Sequence, residues 1–180
     1  MKNQTIEMIL DRRSVRSFLY LPIEEEKLKL IVECGLFAPT ARDKQNWHFT
    51  VITKKETIDE ISRLTVEGME RLGLKREPDY HVFYHAPAIV IMSSPIEGFS
   101  ELNCGCAMEN MAIAAKSLGI DSCIVGQTRF MYHQANAVDI NHMLKIPEGY
   151  EHDAAICFGY RQGDNPEPKP RKEGVVDYIR

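Results

Sequence analysis

The stretch from Leu102 to Leu118 constrains this chain most. It is the longest helical signal, carrying Met108, Met111, Ala112, Ala115 and Leu118 and few charges. A helix so poor in polar residues lacks a water-facing side and must be covered by protein around most of its girth. Its Met and Ala stripe reads as core before it reads as a cofactor pocket. The small side chains let another helix approach closely. Leu118-Gly119-Ile120-Asp121 ends the helix, with glycine as the stop. A chain of 180 residues buries roughly 70% of its unfolded surface, enough for one domain around such a helix.

The net charge is −4 and the pI about 5.9, which speaks against wholesale binding to nucleic acid or an anionic membrane. No apolar run approaches the roughly 20 residues of a membrane helix. Met1 to Asp11 contains Glu7 and Asp11 and lacks a signal-peptide core, so a cytoplasmic location is expected. The five cysteines, Cys34, Cys104, Cys106, Cys123 and Cys157, are odd in number and irregular in spacing. Cys104-x-Cys106 is not a usual zinc spacing. His133, His142 and His152 show no ligand spacing. Reduced thiols, no disulfide and no metal are expected.

Around the long helix the other elements read in order. Ile6, Ile9 and Leu10 form one face of a short helix. Pro22-Ile23-Glu24-Glu25-Glu26 opens a second, with Leu28, Ile31 and Val32 in helical spacing and Gly35 and Pro39 at its end. Phe49 to Ile52 and Ala88 to Met92 are apolar strands, and the intervening stretch Lys55–Leu74 has helical spacing. Ser93-Ser94-Pro95-Ile96-Glu97-Gly98 reads as a turn. Cys123 to Gly126 and Asp153 to Tyr160 are further strands, separated by a helix from His133 to Leu144.

Two basic clusters lie at the ends of the chain. Arg12-Arg13-Ser14-Val15-Arg16 sits where the first helix passes into an extended stretch, and Lys169 and Arg171 lie in a proline-rich tail. Arginine forks match phosphate bidentately and serine adds a neutral donor. A solvated basic face or a weak nucleic-acid contact is the alternative. The polar loop Pro39-Thr40-Ala41-Arg42-Asp43-Lys44-Gln45-Asn46-Trp47 feeds into a strand, where ligands are often bound, or it is a plain connection. No Walker-type loop, no G-x-G-x-x-G after a strand and no Ser-His-Asp logic is present. Anion cradles without an acid, base or nucleophile suit a cofactor that carries its own chemistry.

The order of these motifs resembles the nitroreductase family of FMN enzymes. The match runs through Arg12–Arg16, Ala38–Phe49, Ala86-Pro87, Glu109-Asn110-Met111 to Gly126, Phe158-Gly159-Tyr160 and Lys169-Pro170-Arg171. The resemblance implies an α+β fold: a mostly antiparallel central sheet flanked by helices, in an intertwined homodimer with an extended C-terminal arm. Residues 1–160 would form the FMN-binding domain and 161–180 the arm. Arg12, Ser14, Lys169 and Arg171 would hold the phosphate and ribityl chain, Arg13 would help, and Arg16 would lie near the pyrimidine side. Pro39, Thr40, Ala41, Asp43 and Gln45 would come from the partner subunit. Ile124, Val125, Gly126 and Gln127 would line one face of the ring, with a backbone N–H near flavin N5.

Three departures stand out. Asp43 replaces the family's asparagine, Asn46 replaces a proline, and Pro95-Ile96-Glu97-Gly98 precedes the long helix instead of following it. The implied reaction is a ping-pong hydride transfer from NAD(P)H through FMN to a nitroaromatic, a quinone or a similar small acceptor, with no side chain as catalyst. A reductive dehalogenase or flavin-cleaving relative, a non-catalytic FMN-binding protein and a basic-loop nucleic-acid binder are the rival readings.

Overall fold

The computed structural model describes residues 3–133 and 136–180. Four strands, β1 (His48–Ile52), β2 (Ala88–Pro95), β3 (Asp121–Val125) and β4 (Tyr150–Gly159), form one antiparallel sheet in the order β1-β2-β4-β3. Among the described residues five α-helices accompany it: α1 (Gln4–Asp11), α2 (Glu25–Leu36), α3 (Lys55–Arg71), α4 (Ser100–Ser117) and α5 (Ala137–Met143). The expected α+β architecture is therefore present.

Side chains alternate across the sheet and divide the core in two. Ile89, Ile91, Ala155 and Cys157 face α3, α5 and a 3₁₀ run, Gly126–His133. Val90, Met92, Ile156 and Phe158 face α2 and α4. Because both faces are covered, β2 reads as a continuous apolar run.

Helix α4 buries Cys104, Ala107, Met108, Met111, Ala112 and Ala115 against the sheet and α2. Its small residues do admit a neighbour. A Cβ on Gly35 of α2 would stand 2.8 Å from Met111 Cγ, so this glycine marks a close helix crossing more than a stop. Gly119, with φ +75°, ends α4 in the left-handed conformation expected of it.

Two stretches differ from the sequence reading. Ser93, Ser94 and Pro95 are strand, not turn, because β4 starts at Tyr150 and continues the ladder past a bulge between Met92 and Ser93. The helix expected from His133 begins at Ala137, and His133 instead closes the 3₁₀ run. Residues 134 and 135 of that expectation lie outside the described residues, as do 1 and 2 of the N-terminal one. All five cysteines are free. No helix among the described residues is long and apolar enough to cross a membrane.

Candidate functional site: a basic strap beside the sheet edge

Residues 14–19 leave α1 as an extended strap. Val15 N donates to Ser122 O at 3.0 Å and Leu19 N to Tyr160 O at 2.8 Å. Ser14 bridges Ser122 in parallel and Phe18 bridges Arg161 in antiparallel fashion. Val15 and Phe18 are buried in the core, so the strap is nailed down by its apolar residues while Arg12, Ser14 and Arg16 stay accessible. Alternation along an extended chain puts Arg12, Ser14 and Arg16 opposite Val15, and two exposed residues, Arg16 and Ser17, then separate Val15 from the second buried anchor, Phe18.

Ion pairs fasten the ends of this strap. Lys116 on α4 meets Asp11 at 2.8 Å and Asp121 at 3.4 Å, and Arg161 meets Asp121 at 2.8 Å. The hydrogen bond from Lys116 holds the Asp11 carboxyl below its ordinary range, against the opposing pull of desolvation.

The three arginines have different surroundings. Arg12 Nε pairs with Glu109 Oε1 of α4 at 3.0 Å. Arg13 donates from Nη1 to Leu10 O and Arg12 O and from Nε to Pro166 O. It thereby clips the tail against the end of α1, as does Asn165 Nδ2 on Asp11 O at 3.0 Å. Arg16 donates to Ser14 O at 3.2 Å and lies 6.0 Å from the Tyr84 ring centre. Lys169 and Arg171 are exposed and lie a few residues past the clip at Pro166. Three extended residues span at most about 10 Å, so Lys169 is within reach of the strap.

Ile124, Val125, Gly126 and Gln127 end β3 and begin the 3₁₀ run. Val125 is core, whereas Ile124 is 42% exposed. A Cβ at Gly126 would meet nothing within 4 Å, so the backbone is open there. Gln127 Oε1 accepts from Tyr80 OH at 2.6 Å. Burial pushes the neighbouring Cys123 thiol up, with Arg16 and Ser14 pulling it the other way.

The loop of Pro39, Thr40, Ala41, Asp43 and Gln45 lies elsewhere. It precedes β1, at the other edge of the sheet. His48 pairs with Ser93, and Ser122 with Phe158, which is opposite Ala88. Strand spacings put these corners roughly 20 Å apart. Arg42, Asp43 and Gln45 all have positive φ, at 58°, 54° and 48°. Hydrogen bonds hold these conformations. Ala41 N donates to Asn103 Oδ1 at 3.1 Å, and Gln45 N to Thr40 Oγ1 at 3.2 Å. Asp43 accepts from Gln45 Nε2 at 2.8 Å. Asn46 joins Asn103, Ser100 and Glu97, a set of contacts that a proline there has no groups to make.

Asn103, Tyr80, Tyr84 and the role of Glu109 were missed by sequence reasoning. Asn103 had a weak signal, one of the few polar side chains on the first turns of a helix rich in Cys, Ala and Met. The tyrosines had none, because only the fold brings residues 80–84 to Arg16 and Gln127. Among the described residues no group of three or more His, Cys, Asp or Glu side chains gathers as metal ligands.

A cationic strap along one edge of an α+β sheet that is covered on both faces offers an anionic group a place to approach. The family model described as Nitroreductase family matches residues 9–160. The chain belongs to the nitroreductase family. It is 26% identical over 177 residues to the NADPH-flavin oxidoreductase of Vibrio harveyi, covering 94% of this chain and 70% of that protein. Among solved structures it resembles a nitroreductase with bound FMN from Bacteroides fragilis NCTC 9343, with TM-score 0.85 and 28% identity over 99% of this chain and 100% of that one. A second, from Desulfitobacterium hafniense DCB-2 and also with bound FMN, has TM-score 0.88 and 26% identity and covers all of both chains.

Proposed function

We propose that this chain is an FMN-dependent oxidoreductase that takes hydride from NAD(P)H and delivers it to a nitroaromatic, quinone or similar conjugated acceptor in a ping-pong cycle. The observation that carries the reading is the strap. It sets Arg12, Ser14 and Arg16 on the accessible side of a segment pinned to β3, with the basic tail clipped beside it.

The donor set fits a phosphate monoester. Arg12 and Ser14 supply a fork and a hydroxyl, Lys169 and Arg171 complete the charge, and Arg13 holds the tail that carries them. Charge-assisted hydrogen bonds contribute about 1.5–3 kcal/mol each, so three or four match the ~8 kcal/mol of a micromolar site. FMN, when bound, supplies the hydride chemistry through its N5. The chain's own residues bind and orient. Arg16 would place a cation at the pyrimidine edge, the exposed Ile124 side chain would back one face of the ring while Val125 contributes only backbone, and the open backbone at Gly126 and Gln127 would offer an N–H there. The FMN-bound relatives support this assignment.

The reading includes a homodimer with two shared sites. The loop Pro39–Gln45 sits across the sheet from the strap of its own chain, so the partner's loop is the one assigned to the flavin. Unpartnered apolar surface supports this. Helix α1 buries none of its residues, and Phe37, Phe99 and Leu102 are 80%, 64% and 62% exposed. The arm, residues 161–180, ends in exposed Val175, Val176, Tyr178 and Ile179. A groove of about 880 Å³ runs along the unpaired edge of β1, lined by Leu28, Val32, Leu36, Val51 and Ile58. It suits the partner's arm, which would also cover the bare strand edge. A cytoplasmic location fits the use of NAD(P)H.

The test is anaerobic addition of NADH and NADPH to the yellow protein, followed by mass spectrometry of the released chromophore and a screen of acceptors. Bleaching, restored by a nitroaromatic or quinone, is expected, with FMN released. FAD, no flavin after reconstitution, or a flavin that no reduced nicotinamide bleaches would overturn the reading.

A further inference from the structure

Arg12 makes one side-chain hydrogen bond among the described residues, from Nε to Glu109. Its backbone is held on both sides: its N–H donates to Met8 O at 2.9 Å, and its carbonyl accepts from Arg13 at 2.8 Å. Glu109 sits in the middle of α4, where the next residue, Asn110, bonds Cys34 O of α2 at 3.2 Å. The end of α1 and α4 therefore meet through two charge pairs, Lys116 with Asp11 and Glu109 with Arg12, and the second fixes the arginine.

A guanidinium has two usable edges. One is Nε with an amino group, and the other is the pair of terminal amino groups. Glu109 occupies the Nε side. The terminal amino groups are left for a second anion.

We propose that Glu109 is a positioning residue that aims Arg12 at the flavin phosphate, and that its own charge at the same time weakens the hold on that phosphate and speeds cofactor release. This rests on the reading of Arg12 as a phosphate ligand. The two effects oppose each other. The hydrogen bond to Nε removes rotamer freedom that binding otherwise has to freeze. The carboxylate, on the far side of one guanidinium, lies within a Debye length of the phosphate and repels it. Arg12 and Glu109 side chains are 27% and 43% exposed, so solvent screens the repulsion only partly.

Glu109→Gln keeps an acceptor for Nε and removes the charge. Glu109→Ala removes both. FMN and riboflavin are titrated into the flavin-free wild type, both variants and Arg12→Ala, and FMN release is timed from the holoproteins. For Glu109→Gln, FMN should bind about tenfold tighter and leave correspondingly more slowly, with riboflavin unchanged, since riboflavin has no phosphate. Glu109→Ala should bind FMN no tighter than wild type. If Glu109→Gln leaves FMN affinity unchanged or weaker, or tightens riboflavin equally, the proposal is overturned. If Glu109→Ala tightens FMN as much as Glu109→Gln does, the positioning half is overturned. Arg12→Ala is the separate control. If it weakens FMN no more than riboflavin, the phosphate role of Arg12 itself is wrong.

Discussion

His152 is the buried titratable side chain with the plainest energetic consequence. Both ring nitrogens are buried and have no hydrogen-bond partner among the described residues. Burial pushes its imidazole down to about 4. Above pH 6.5 the ring is neutral both folded and unfolded. Between about 6.5 and 4 the unfolded chain takes up a proton that the folded one refuses, so stability falls with pH by up to about 3 kcal/mol. His81 is also lowered, chiefly by burial and next by His85, and adds to the loss. His152→Phe keeps a ring against Tyr132, 5.8 Å away. The variant should show a smaller drop in urea midpoint between pH 7.5 and 5, and an equal slope in both proteins would refute this. Arg16 makes a second residue-scale case. A cation ~4 Å from a developing anion at an effective dielectric of ~20 is worth at most about 4 kcal/mol. For a two-electron couple this is roughly 90 mV. Arg16 is exposed, so Arg16→Ala should lower the flavin potential by a smaller amount, tens of millivolts, with most FMN still bound. An unchanged potential with collapsed affinity would make Arg16 a phosphate ligand instead.

Among the elements, α3 shows how a single missing side chain sets a packing distance. A Cβ on Gly68 would stand 1.8 Å from Phe130 O, so α3 rests directly on the backbone of the 3₁₀ run that follows β3. Gly68→Ala must push the two apart. A loss of about 3 kcal/mol is expected from overpacking, seen as a lower denaturant midpoint with unchanged slope. The displaced run begins at Gly126 and Gln127, so FMN affinity should fall with it. A variant as stable as wild type would mean that α3 is free to move. Sequence legibility at this scale followed burial. β2 and α4 were legible because apolar runs and small-residue stripes are local signals. The extension of β2 through Ser93 and Ser94 was not, because serines pair in a strand only when a partner such as β4 lies beside them.

For the whole molecule, coupling between assembly and cofactor is the central expectation. If each site uses the strap of one chain and the loop Pro39–Gln45 of the other, FMN binding and dimerisation strengthen each other. Sedimentation at low protein concentration should show the dimer fraction rising with FMN. Removing residues 175–180 takes away the apolar end of the arm and should shift the equilibrium to monomer and weaken FMN in parallel. A truncated monomer with full FMN affinity and full NAD(P)H oxidation would show that each site is built within one chain.

What the sequence determined by itself was local and chemical. Two basic clusters, a polar loop, apolar strands and a helix poor in charge follow from which residues stand next to one another, while the family came from the resemblance of the motif order and the fold class from what that resemblance implies. The tertiary structure decided whatever depends on distant residues meeting. It set Glu109 against Arg12 across 97 positions and hung the loop on Asn103. It also ran the strap beside Ser122, while the strand order put that strap and that loop on opposite edges of one sheet. Side-chain type is written in the chain, but the direction in which an arginine points depends on a carboxylate brought to it by the packing of α1 on α4.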